Sequence, residues 1–422
     1  MAGVNQFRAS GHWPTLLTAF IYFDFSFAVW VLLGTLGVFI SGQFDLSVTQ
    51  TAWMIAIPTL GGALFRIPLG YLADRAGAKP TAIAAVILSM VPLFIGWLSA
   101  NALPVMYTVA VLLGIAGASF AVAMPLGGRW YSARRQGLVL GLVGAGNTGT
   151  LLATFFAARI AKNLGWHADF GIALIPLFAV LLLLIFVARE APREAPPVES
   201  TGRPAHGSGS VFRNRDAWVA SLFYALTFGG FVGVSSYMSV YFHTQFGLPP
   251  VRIADVLSLL ALAGSAARPL GGWMADHLGA PAILTAVFAG LAVSMLALVA
   301  TRGLAPTVVL LFLIMALFGL GNGALFQFIP QIFPGNFGLV TGMVGEAGGL
   351  GGFFLPMILG YAKVLTGSYQ MGFAVLAIVA LAALATALRV RAPWMAQSSV
   401  LAAMMDPPPG DFKHRGEAHE AR

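Results

Sequence analysis

The chain has 422 residues, 58% of them hydrophobic and only 9% charged, with a mean hydropathy of +0.85 and a formal net charge of +8. That is more apolar surface than a water-soluble fold of this length buries, so the chain is read as an integral membrane protein. The absence of cysteine excludes disulfides and thiol chemistry.

Apolar stretches long enough to cross a hydrocarbon core of about 30 Å, roughly 20 residues each, start near Leu16, Thr51, Thr81, Pro104, Gly137 and Phe170, then near Trp218, Ala254, Ala280, Thr307, Phe337 and Gln370. The first of these follows "MAGVNQFRASGHWP", which lacks the strongly basic n-region and small-residue cleavage site of a signal peptide, so it is expected to be retained. With both termini inside, the inner segments carry Arg8, Arg75, Lys79, Arg129, Arg134, Arg135, the arginines of 189–215, and Arg389, Arg391, Lys413, Arg415 and Arg422, whereas the outer loops carry Arg159, Lys162, Arg252, Arg302 and Lys363. This bias predicts two cytoplasmic termini. It also accounts for most of the positive charge, which is spread over several loops and does not form the clustered face a nucleic acid needs.

Between the sixth and seventh spans lies "REAPREAPPVESTGRPAHGSGSVFRNRDA", polar and rich in Pro, Gly and Ser, the composition of a linker. The expected organisation is therefore a six-helix bundle over 1–188, a cytoplasmic linker over 189–217, a second bundle over 218–390, and a disordered cytoplasmic tail over 391–422. The two halves are copies of one another. "RIPLGYLADRAGA" pairs with "RPLGGWMADHLGA", setting Arg66 against Arg268, Gly70 against Gly272, Asp74 against Asp276 and Gly77 against Gly279. "GLVLGLVG" at 137–144 pairs with "GLVTGMVG" at 338–345, and "LGIAGASFAVAMP" more weakly with "FGLGNGALFQFIP". A duplicated six-helix unit in parallel orientation describes the major facilitator architecture, an all-α membrane fold of 12 transmembrane helices in two bundles around a central path.

Arg66 precedes Asp74 by eight residues, about 12 Å of helix, and Arg268 stands at the same distance before Asp276. Both arginines are thus expected near mid-membrane, where an unpaired cation costs from about 2.5 to more than 10 kcal/mol. A depth-matched pair of permanently charged planar forks suits a small planar oxyanion through paired charge-assisted hydrogen bonds. The competing reading is an ion pair with a neighbouring acid, or snorkelling to the inner surface.

The loop "GYLADRAGAKP", with its partial copy "GWMADHLGAP", resembles the motif that major facilitator proteins carry between helices 2 and 3 and between helices 8 and 9. "GAGNTG" at 144–149, "GLGNGALFQFIPQIFP" at 319–334 and "VTGMVGEAGGLGGFFLP" at 340–356 resemble the glycine-rich signatures of the nitrate/nitrite porter family, and the likeness extends over about 16–390. The resemblance implies that Arg66 and Arg268 clamp the anion, that Phe120 packs on it, and that Gly144, Gly146, Asn147, Gly345 and Gly348 form its wall, with the Asn147 amide as a donor. It also implies a helix 7 tyrosine. The aligned position here holds Val234, and Tyr237, one turn on, is expected to substitute. For the glycines the plainer alternative is close helix packing, and for Phe120 an ordinary core or lipid-facing ring.

Two acids are read as lying inside spans, Asp24 and Glu346, and no histidine is. Either acid is a candidate for a coupling proton, set against a hydrogen-bonded Asp24 and a Glu346 neutralised by an arginine. In the loop motif, Gly70, Asp74, Arg75, Gly77, Asp276 and Gly279 are candidate gating residues. The resemblance implies that such acids hold the cytoplasmic side shut against the opposing bundle, with Arg134 or Arg135 as partners. There is no phosphate loop of the G-x-x-x-x-G-K type and no histidine pair at metal-ligand spacing, so neither an enzyme, a metal nor a cofactor is expected. The expectation is a monomeric carrier in a bacterial inner membrane, surrounded by lipid and moving nitrate or nitrite, with protons as a further partner. The alternatives are a carrier of cyanate, formate or oxalate, and a sensor that binds without flux.

Overall fold

A computed structural model describes residues 11–131, 133–192, 211–333 and 337–405. Among them are 12 helices long and apolar enough to cross a bilayer. With no water to satisfy peptide groups in hydrocarbon, such apolar runs are held to helix. The first six are α1 (Trp13–Thr35), α2 (Val48–Arg75), α3 (Ala78–Leu98), α4 (Leu103–Gly117, resuming as Phe120–Gly128), α5 (Ala133–Gly144 and Gly149–Leu164, joined by the 3-10 turn Ala145–Thr148) and α6 (Trp166–Phe186). The second six are α7 (Arg215–Phe246), α8 (Pro250–Leu278), α9 (Ala280–Ala300), α10 (Leu304–Ile332), α11 (Phe337–Thr366) and α12 (Gln370–Met405).

Local signals fix several boundaries. Ser47 and Gln50 form a reciprocal capping box that starts α2, and the Asn214 side chain accepts from the Asp216 N–H to start α7. Gly77 and Gly279, the duplicated last glycines of the loop motif, turn the chain between α2 and α3 and between α8 and α9 at φ 107° and 81°, a region that side chains with a Cβ avoid.

Two boundaries differ from expectation. α7 begins at Arg215, inside the segment read as linker, and α12 runs on to Met405, so 391–405 of the expected tail is helical. The start of the linker is also tied down. The Glu190 carboxylate accepts from the N–H groups of Ala78 and Lys79 at 3.0 and 2.7 Å, and the Arg189 N–H donates to Thr15 Oγ1 at 2.9 Å. Residues 193–210 and 406–422 lie outside the described residues.

The bundles meet along α2 and α11, α5 and α8, and α1 and α7. On the side away from the termini they are joined by polar contacts. Arg159 pairs with Asp255, Thr154 Oγ1 and Ser258 Oγ lie 3.1 Å apart, Trp53 Nε1 donates to the Tyr361 hydroxyl at 3.3 Å, and Ser239 Oγ donates to the Gly34 carbonyl at 2.6 Å. On the terminal side the loop-motif acids behave otherwise than expected. Asp74 pairs with Arg129 and Asp276 accepts from Gln327 Nε2 at 2.5 Å, each within its own bundle. Arg129 also donates to the Ala73 carbonyl, which draws it to the end of α2, whereas the side chains of Arg134 and Arg135 lie outside the described residues. Arg75 lies over the Tyr71 ring at 4.7 Å.

Candidate anion site between the bundles

Arg66 from α2 and Arg268 from α8 are each 3% exposed, which excludes snorkelling, and neither forms an ion pair among the described residues. What holds Arg66 is backbone. Its Nη1 donates to the carbonyl of Gly345 on α11, in the opposite bundle, and its Nη2 to the Gly117 carbonyl at 3.3 Å. That second acceptor exists because α4 breaks there. The Ala121 N–H turns to Ala118 instead of Gly117, and the freed carbonyl faces the guanidinium.

Aromatic rings enclose the charge. The Arg66 guanidinium carbon lies 5.6 Å from Trp30, 5.6 Å from Phe120 and 5.4 Å from Phe228, and that of Arg268 lies 5.8 Å from Phe326. The rings touch one another: Phe120 meets Phe326 edge-on at 5.4 Å, and Tyr224 stacks on Phe228 at 4.9 Å. Ring faces carry partial negative charge, so such a box stabilises two cations without neutralising them. The two guanidiniums also lie within each other's electrostatic reach.

Several buried polar atoms lack a hydrogen-bond partner: Arg66 Nε and Arg268 Nη1, and on α10 both amide atoms of Asn322. Buried polar groups are nearly always hydrogen-bonded in folded proteins, and orphaned ones beside two uncompensated cations make a setting chemically suited to an anion.

The expected wall residues separate into two groups. Gly144, Gly345 and Gly348 line the site: a Cβ on Gly144 would stand 3.1 Å from Arg268 Nη2, one on Gly345 3.7 Å from Arg66 and Phe120, and one on Gly348 2.6 Å from the Tyr224 ring. Phe120 is brought beside Arg66, with its ring centre 5.6 Å from the guanidinium carbon. Gly146, by contrast, packs on Phe23 and on the backbone of α1 near Asp24. Asn147 is fully buried in the 3-10 turn; with its amide oriented so that the nitrogen faces the backbone, it donates to the Gly144 and Ala145 carbonyls at 3.2 Å.

Tyr237 is not at the site. Its ring neighbours Tyr369 at 6.5 Å and its hydroxyl Gly360, far along α7. The helix 7 tyrosine in the field of both arginines is Tyr224, nearly four turns earlier. Sequence reading also passed over Asn322, Phe228 and Phe326. An asparagine flanked by glycines inside "GLGNGALFQF" was the available signal for the first; for the rings there was none among 32 phenylalanines.

Among the acids, Glu346 is partly buried on α11 and interacts electrostatically with Arg66. Asp24 sits midway along α1, where one oxygen accepts from Thr148 Oγ1 at 2.5 Å, tying α1 to the 3-10 turn of α5. The reading of two acids in the spans was incomplete. Asp169, 3% exposed in the first turn of α6, has both oxygens unpartnered, and His167, His243 and His277 lie in the terminal turns of α6, α7 and α8.

Residues 18–356 match the Major Facilitator Superfamily. A curated relative named "Nitrite extrusion protein" of Bacillus subtilis is 36% identical over 84% of this chain and 89% of its own length. "Probable nitrate/nitrite antiporter NarK1" of Thermus thermophilus is 32% identical over 85% and 87%, and "Probable nitrate/nitrite transporter NarK2" of Mycobacterium tuberculosis 33% over 89% and 95%. The fold matches a bacterial homologue of the human lysosomal transporter Spinster, solved in an inward-facing, occupied conformation, with a TM-score of 0.63 at 18% identity over 92% of this chain and 94% of that one. On this family match and these levels of identity, the chain belongs to the nitrate/nitrite porter family of the Major Facilitator Superfamily.

Proposed function

We propose that the protein is a secondary carrier that binds nitrate, and nitrite, between Arg66 and Arg268 and passes it across the cytoplasmic membrane by alternating access. The observation that carries this reading is the pair of buried, unpaired guanidiniums, one from each bundle, surrounded by orphaned donors. An anion that both forks grip is attracted to both bundles at once, so its binding energy draws the halves together around it. The basic bias of the loops makes the terminal side cytoplasmic; the locked side is then periplasmic, and release from this state is inward.

Glu346 is assigned the coupling proton. The charged group that faces it is Arg66 from α2, which in turn lies in the field of Tyr224 from α7 and Arg268 from α8. An ionised Glu346 offsets part of the arginine charge in the empty carrier and opposes an incoming anion; protonation removes that opposition, so anion and proton enter together. Asp24, bonded to Thr148, serves to hold the α5 turn.

The test is uptake of labelled nitrate into liposomes, driven either by an inward proton gradient or by internal nitrite. Wild type is expected to take up nitrate, and Glu346→Gln to lose the response to the proton gradient while still binding nitrate. A Glu346→Gln carrier with unchanged pH dependence would remove Glu346 from coupling. No nitrate flux under either gradient would overturn the assignment in favour of another small anion such as formate or cyanate, or of a sensor.

A further inference from the structure

We infer that Asn322 is a specificity-determining residue that distinguishes nitrate from nitrite, a claim that rests on the carrier reading above. The side chain is fully buried on α10, and neither its amide nitrogen nor its oxygen has a partner. An amide left in that condition inside a membrane bundle lowers stability, so the position serves something other than packing.

Its surroundings give its direction. At 100° per residue, Gly319 and Phe326 flank the same face of α10 on one side and Phe318 flanks it on the other. Gly319 lies against Gly264 and Ala267 of α8, and Gly323 against the Arg268 carbonyl. Phe318 lies against Gly230 of α7, and Gly321 against Thr227. Asn322 therefore points into the gap between α7 and α8, which is where Tyr224 and Arg268 stand. Phe326, one turn on, touches both Tyr224 (4.8 Å between ring centres) and Phe120 (5.4 Å) and lies beside Arg268.

The internal repeat adds a second line of argument. In the pairing of "LGIAGASFAVAMP" with "FGLGNGALFQFIP", Asn322 stands opposite Gly117. In the first half, the Gly117 carbonyl accepts from Arg66 Nη2. In the second half the equivalent arginine, Arg268, has an unpartnered Nη1, and the equivalent position carries an unpartnered amide. With the anion bound, Asn322 Oδ1 accepts from Arg268 Nη1, and Nδ2 donates to an anion oxygen that the arginine forks leave free. A trigonal nitrate has three oxygens and fills both forks and the amide. A bent nitrite has two and leaves the amide unmet, so the amide favours nitrate.

The experiment compares wild type with Asn322→Leu, which keeps the volume and removes both polar atoms, and Asn322→Ser, which keeps a donor. Purified protein is reconstituted, and the concentrations of nitrate and of nitrite that half-inhibit labelled nitrate uptake are measured. The expected result is a roughly tenfold loss of nitrate affinity in Asn322→Leu, the size of one buried hydrogen bond, with nitrite affinity shifted by no more than about twofold. Asn322→Ser is expected to fall between the two. Equal weakening of both anions, or no change in either variant, would overturn the inference and leave the carrier reading intact. If Asn322→Leu elutes aggregated, Asn322→Ser decides alone: an unchanged nitrate-to-nitrite ratio overturns the inference. Wild type that transports neither anion would overturn both readings.

Discussion

Lysine in place of Arg268 is expected to lower the initial rate of nitrate uptake in liposomes by roughly a hundredfold or more while the protein remains folded. An ammonium keeps the charge but presents a compact point in place of a planar fork, so at least one charge-assisted hydrogen bond to the anion is lost, and each is worth about 1.5–3 kcal/mol in a buried site. Little else depends on this guanidinium: among the described residues it has no carboxylate partner and its Nη1 has no acceptor, and its side-chain hydrogen bond is to Tyr224. The melting temperature in detergent should therefore stay close to wild type without nitrate, and the stabilisation that nitrate gives wild type should vanish. Arg66→Lys separates from this by its stability. Arg66 also bonds the Gly345 and Gly117 carbonyls, so its replacement should lower both flux and melting temperature. Uptake by Arg268→Lys within threefold of wild type would show that the anion is not held by a fork on that side.

The second large effect concerns the run "GMVGEAGGLGG". A Cβ on Gly351 would stand 2.0 Å from the Ala225 carbonyl oxygen of α7, which no side-chain rotation relieves, whereas a Cβ on Gly342 meets nothing within 4 Å. Gly351→Ala is expected to force α7 and α11 apart, at a cost of about 1–3 kcal/mol or more. Because Gly348 on the same face touches Tyr224 and Phe228, the displacement reaches the aromatic box and uptake falls with stability. Gly342→Ala should be neutral in both. Equal behaviour of the two variants would mean that the α7–α11 contact is looser than the structure has it. Glycine in this run is thus chiefly a matter of helix approach, the alternative weighed beside the anion wall, with Gly345 and Gly348 belonging to both.

The span pattern and the duplicated loop were legible because each is written in local composition or in repetition. The arginine pair was legible because charge at mid-membrane is costly wherever it occurs. Tyr237 was misplaced for a reason of register: α7 is buried on nearly every side, so its sequence carries no amphipathic mark of which turn meets the site. A thirteen-residue difference moves a side chain by about 20 Å. The partners of Asp74 and Asp276 were missed similarly, since a motif names a residue and not its neighbour. Asp169 was passed over because it stands at the very mouth of a span. Its buried carboxylate stands in the first turn of α6, where a helix N-terminus favours negative charge.

The bond from Arg66 to the Gly345 carbonyl stitches one bundle to the other at mid-depth. A carrier in which two bare guanidiniums faced each other would repel itself when empty and would wait for a passenger before moving. Here a backbone dipole takes up part of that duty on one side of the site, and the rings of Trp30, Phe120 and Phe228 soften the rest. On the proposed carrier reading, Arg66 is then the pivot already engaged with the opposite bundle and Arg268 the free arm.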